Sequence, residues 1–247
     1  MSNRIAAKLL AEFIGTFALI FIGAGAAAVV GGAGLAGVAA IAFAHGLTVM
    51  AFAFAYGPVS GGHFNPSVTT AVLAAGAMRA GEAAGYILSQ LVGGLLGALL
   101  LGAVLGGAET GLGTPMLAHN LSLGATTLTV TPWAGYVIEA VLGFFLSTVV
   151  LGTAVAGRAG NLAPLAIGMT LVLNIIMGGP LTGAAFNPAR ALGPMVATGN
   201  FSDAWLYLTA PIVGAIVAAI LHTGLARLAQ ERMATAGTSA AARTPAE

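Results

Sequence analysis

Six long apolar stretches follow one another along the chain: roughly Ile5 to Val29, Val38 to Tyr56, Ala83 to Leu105, Trp133 to Ala156, Leu162 to Met177 and Ala204 to Leu225. A bilayer core about 30 Å thick takes about 20 apolar residues in helix, so these runs read as membrane spans. Composition agrees. Of the residues, 58% are hydrophobic and 6% charged, against roughly 25% charged in a soluble domain, and the mean hydropathy is +0.99. Arg4 and Lys8 ahead of the first run imitate a signal peptide, but the run is long enough to span and no small-residue cleavage site leads into a polar mature chain. One membrane domain is therefore expected over residues 1–226, followed by a disordered tail, 227–247, of Ala, Thr, Ser and charge. A net charge of +1 gives no case for nucleic acid, and the absence of cysteine removes disulfides and thiol chemistry.

Two interruptions between the spans carry one motif. Ser60-Gly61-Gly62-His63-Phe64-Asn65-Pro66-Ser67 lies after the second span, and Thr182-Gly183-Ala184-Ala185-Phe186-Asn187-Pro188-Ala189-Arg190 after the fifth. Asn followed by Pro is a helix start, with Asn as N-cap and Pro in the first helical position. Short helices are expected from Pro66 to Ala77 and from Pro188 to about Val196. At 1.5 Å per residue, each crosses only half a membrane. The copies lie 122 residues apart (187 minus 65). Three spans plus a half-helix form one repeat, about residues 5–105 and 133–226, and the odd number of crossings inverts the second repeat relative to the first. The expected fold is thus all-α: six transmembrane helices plus two re-entrant half-helices. Asn65 and Asn187 should then meet near the midplane.

Basic residues set the orientation. Arg4, Lys8, Arg79, Arg158, Arg227, Arg232 and Arg243 fall on one side of a six-span chain, which the positive-inside rule makes cytoplasmic, with both termini there. The loops on the other side, around residues 31–37 and 106–132, hold no Lys or Arg. Arg190 alone breaks the pattern, standing on the far side directly after the second Asn-Pro-Ala, so it does not read as a topology signal.

The paired half-helices suggest what passes. Each N-terminus presents unpaired N–H groups and about half a positive charge, which favours neutral solutes. A cation 5 Å from a full positive charge is repelled by about 3 kcal/mol at an effective dielectric of 20, and loss of its hydration shell costs more. Each Asn oxygen can cap its own helix while its NH2 donates to a passing oxygen or lone pair.

Two Phe-Asn-Pro-small motifs on half-helices within six inverted spans resemble the aquaporin, or major intrinsic protein, family, and the likeness covers about Lys8 to Leu225. Ser67 stands where that family usually has Ala. The resemblance implies Asn65, Pro66, Ser67, Asn187, Pro188 and Ala189 at the centre of the pore. Carried over by spacing from the two Asn, it implies a second constriction of His45, Ile175, Ala184 and Arg190, with His119 a candidate to contact the arginine. This set is similar to that of the tonoplast-intrinsic branch, which implies passage of water and ammonia. Glu12 and Glu139 would accept hydrogen bonds from the loops before each Asn-Pro. His63 reads as a structural residue near the cytoplasmic mouth. A homotetramer in the plasma membrane, with no cofactor, is implied.

Glycerol is the alternative cargo. Ala191 stands where glycerol facilitators usually have Asp, but Leu208, three before Pro211, matches their pattern. An ion-coupled transporter would also use inverted repeats and broken helices. It should carry coupling carboxylates at the midplane, whereas the acids near spans are Glu12, Glu139 and the interfacial Glu82 and Asp203. No metal cluster, nucleophile triad or phosphate loop marks an enzyme.

Overall fold

In the computed structural model of the chain, residues 3–31 and 34–241 are described. Six helices are long and apolar enough to cross a membrane. The first is built from α1 (Asn3–Ala18), a π-helical segment (Leu19–Ala24) and α2 (Gly25–Val30). The second is α3 (Gly34–Ser60) and the third α5 (Ala80–Val104). The fourth is α6 (Pro132–Val150), extended by a π-helical turn (Leu151–Val155). The last two are α7 (Ala163–Thr182) and α9 (Ala204–Ala241). Between them lie the short helices α4 (Pro66–Ala74) and α8 (Pro188–Thr198). The outward faces are apolar, with Leu88, Leu173 and Ile220 among the most exposed residues, while Glu12, Gln90 and Glu139 are fully buried. This inverts the soluble pattern and suits a lipid surround.

Both spans ahead of the motifs run further than their apolar stretches suggest, α3 to Ser60 and α7 to Thr182, each with a proline in its last turn, Pro58 and Pro180. The two prolines occupy matching positions, 122 residues apart (180 minus 58). The pseudo-symmetry also fixes the central crossing. A Cβ on Gly46 would lie 2.5 Å from the Gly168 carbonyl oxygen, and one on Gly168 would lie 2.6 Å from that of Gly46. Only glycine lets α3 and α7 approach this closely. Gly93 of α5 faces the Phe13 carbonyl in the same way, and Gly214 of α9 faces that of Ala140.

In the loop after α5, Leu121–Leu123 (β1) pairs antiparallel with Thr126–Leu128 (β2) in a small hairpin. One sequence expectation differs from the structure. The tail expected to be disordered from Arg227 continues as helix to Ala241. Ala, Arg, Leu, Gln, Glu and Met dominate its first turns, and extending a helix already formed needs no new nucleus. Arg243 lies outside the described residues.

Candidate functional site

The two motif copies fold alike because their backbones visit the same unusual conformations. Gly61 and Gly183, Gly62 and Ala184, and Phe64 and Phe186 all have positive φ, between 32° and 94°. For non-glycine residues that conformation costs about 1–3 kcal/mol each, so other bonds must hold it. A buried carboxylate does so in each half. Glu12 Oε1 accepts from Ser60 Oγ at 2.7 Å and His63 N at 3.0 Å, and Oε2 from Phe64 N at 2.7 Å. Glu139 Oε1 accepts from Thr182 Oγ1 at 2.6 Å and Ala185 N at 3.0 Å, and Oε2 from Phe186 N at 2.5 Å. A tyrosine completes each copy, Tyr86 donating to the Ser60 carbonyl and Tyr207 to that of Thr182, both at 2.8 Å.

Held in this way, the loops aim both half-helix N-termini at one point. Asn65 Oδ1 accepts from Ser67 N at 2.8 Å, and Asn187 Oδ1 from Ala189 N at 3.0 Å and Arg190 N at 3.2 Å. The carboxamide nitrogens then cross over: Asn65 Nδ2 donates to the Phe186 carbonyl at 3.0 Å and Asn187 Nδ2 to the Phe64 carbonyl at 2.9 Å. One hydrogen of each NH2 is thus spent on the opposite copy, and one is left for a solute. Ser67 adds its hydroxyl to the junction, 2.9 Å from Asn65 Oδ1 and 3.2 Å from the Phe186 carbonyl. Pro66, Pro188 and Ala189 are buried behind it.

Two cavities meet at Arg190. The narrower has room for water centres of about 20 Å³ and is lined by His45, His63, Asn65, Ala184, Asn187 and Arg190 together with an apolar wall that includes Val68, Leu146 and Ile167. The wider, about 720 Å³ by the same measure, opens on the face away from the termini and is lined by Ile175, Gly183 and Arg190, among others. His45 and Ala184 thus border the narrower cavity, Ile175 the wider and Arg190 both, and all four are buried. Arg190 Nη1 donates to the Gly113 carbonyl at 2.7 Å, and Nε has no partner among the described residues. His45 Nδ1 is 2.9 Å from the Ile41 carbonyl, and its Nε2 likewise has no partner among the described residues.

His119 does not join this group. It is exposed at the foot of the β-hairpin, and the oxygen that holds Arg190 belongs to Gly113. The reason is local: Gly111, Leu112 and Gly113 all have positive φ, which turns the Gly113 carbonyl inward before the chain reaches His119. A Cβ on Gly113 would lie 2.5 Å from the Ala24 carbonyl oxygen, so the position admits only glycine. His63 is part of a wider network, its Nδ1 3.1 Å from Thr69 Oγ1, which also accepts from Gln90 Nε2 at 2.9 Å. Gln90 Nε2 lies 2.8 Å from Glu12 Oε2 as well. Sequence reasoning missed Gln90, Tyr86, Tyr207 and Gly113. Gln90 alone left a trace, as an amide inside an apolar span.

Six spans in two inverted halves, broken by half-helices that meet end to end beside a narrowing cavity, define a polytopic membrane protein with a central pore-like passage. The family model described as "Major intrinsic protein" matches residues 1–222, and the chain belongs to that family of channels for small neutral solutes. Among similar proteins are aquaporin NIP1-2 of Oryza sativa subsp. japonica, 38% identical over 85% of this chain and 69% of the relative, and nodulin-26 of Glycine max, 35% identical over 87% and 76%. Another is glycerol uptake facilitator protein-like 6 of Lactiplantibacillus plantarum, 37% identical over 86% and 94%. The fold is shared with the X-ray structure of the aquaglyceroporin from Plasmodium falciparum, at a TM-score of 0.74 and 24% identity over 89% of this chain and 96% of that one.

Proposed function

We propose that the chain is a passive channel for water and ammonia that rejects ions and protons, with residues 1–226 as its channel domain, both termini in the cytoplasm and a homotetrameric assembly in the plasma membrane. The reading is supported by His45, which lines the narrower cavity, and Ile175, which lines the wider, each sharing its cavity with Arg190. Ile175 supplies an apolar wall, and His45 with Arg190 supplies polar groups on the other sides. A small solute with one lone pair, such as ammonia, can trade water for these groups without a full ring of donors. The set is similar to that of the tonoplast-intrinsic branch. A cation gains nothing there, since Arg190 and two helix N-termini oppose it.

A second reading, a glycerol-type facilitator, is favoured by one residue and by names. Leu208 fits it, and the similar proteins include a glycerol uptake facilitator-like protein. Reconstituted channel separates the two. Stopped-flow swelling in a glycerol gradient and a pH-dye assay for ammonia, on one batch of proteoliposomes, should give ammonia flux well above that of protein-free vesicles and little glycerol flux. Ammonia at background with fast glycerol would replace the first reading by the second.

A further inference from the structure

We propose that Gly23 sets the bore of the filter by providing the seat on which the His45 ring lies. The inference rests on the reading of His45 as a filter residue. Gly23 falls inside the π-helical segment Leu19–Ala24 of the first span, a local widening that is rare and is often found at functional sites. A Cβ on Gly23 would lie 2.6 Å from Cδ2, 2.8 Å from Cγ and 2.9 Å from Nε2 of His45. Three ring atoms at that distance mean that the imidazole lies face-on over the glycine. Carbon contacts are favourable at about 3.5–4.0 Å, so a methyl there pushes the ring away by about 1 Å.

The ring has one direction in which to go. Its Nδ1 edge is tied to the Ile41 carbonyl at 2.9 Å. The first span cannot retreat freely, because it is packed against α5, where a Cβ on Gly97 would lie 2.8 Å from the Phe17 carbonyl. The remaining side is the narrow cavity shared with Ala184 and Arg190. A methyl at position 23 therefore moves the imidazole toward Arg190 and closes the filter from the side opposite the guanidinium. Gly23 touches no solute, so it is a positioning residue, and its effect is on which solutes pass.

The test is a two-by-two comparison of wild type, Gly23→Ala, His45→Ala and the double variant in proteoliposomes, reading water and formamide permeability by stopped-flow light scattering. Gly23→Ala should lower the formamide-to-water ratio about ten-fold, the discrimination that one methyl group brings to a tight site. In the His45→Ala background, the same substitution should leave the ratio unchanged. An unaltered ratio in Gly23→Ala, or an equal fall with and without His45, overturns the proposal. His45→Ala alone should raise the ratio; if it does not, the filter reading itself fails, whatever Gly23 does. Should Gly23→Ala give no folded channel, the double variant must restore folded yield, and a double that also fails to fold refutes the seat.

Discussion

The two motif copies share a frame and divide the chemistry. Glu12 and Glu139, Ser60 and Thr182, and Tyr86 and Tyr207 make matching bonds in the two halves. Beyond that frame the halves diverge. The first has His63, Thr69 and Gln90 in one hydrogen-bonded network, where the second, at matched positions, has Ala185, Ala191 and Pro211. The second copy has Arg190, and His45 reaches its side of the pore, where the matched residues on the other side are Val68 and Ile167. What is duplicated holds the strained loops in place. What occurs once distinguishes one end of the pore from the other.

The sharpest way to break this comparison is to remove a brace. Glu139→Leu strands a hydroxyl and two backbone N–H groups in a buried site, at about 1–3 kcal/mol each, so folded, monodisperse protein should be largely lost on size-exclusion chromatography, and Glu12→Leu should do the same. A normal yield with normal flux for either variant would show that the frame is not what the duplication preserves. Next is Arg190→Val, which copies Val68 into the other half. It should fold, yet raise proton leak in a pH-dye assay by about ten-fold or more, because the fixed charge facing the filter is gone. Leak equal to wild type would shift the barrier to the Asn junction. Gln90→Leu makes the first half resemble the second, which manages without such a group. A loss of about 1–2 kcal/mol should appear as a fall of a few degrees in Tm with water flux retained. Smallest of all, Ser67→Ala removes a hydroxyl that only supplements the Asn65 cap, and flux within about two-fold of wild type is expected, with about 0.5–1 kcal/mol lost in stability.

Much of this architecture is legible in the sequence because its signals are local. Apolar length marks spans, Asn-Pro marks a helix start, and a 122-residue offset (187 minus 65) reveals an inverted pair. The site was legible where it rides on those signals, as Asn65, Asn187 and Arg190 do. Gly113 was not, because a carbonyl that holds Arg190 from 77 residues away depends on three consecutive positive-φ residues in a loop, and any sequence rich in glycine permits many such loops. Gln90 was hidden for a related reason: its partners Glu12 and Thr69 come from other helices. His119 misled because a local likeness of its stretch does not say which way the loop turns, and the turn at Gly111–Gly113 brings a carbonyl to Arg190 before the chain reaches the histidine. Helix ends drifted where proline sits in a last turn that tertiary packing keeps helical, as at Pro58 and Pro180.

The central claim is that solute passes through the narrow cavity between His45, Ala184 and Arg190. Ala184 is 1% exposed and lines that cavity, so an indole in its place fills the passage. Stopped-flow light scattering on proteoliposomes of wild type and Ala184→Trp, matched for folded protein, tests this directly. The expected result is fast water flux in wild type and flux indistinguishable from protein-free vesicles in the variant. Water flux undiminished in properly folded Ala184→Trp would place the pathway elsewhere and contradict the account.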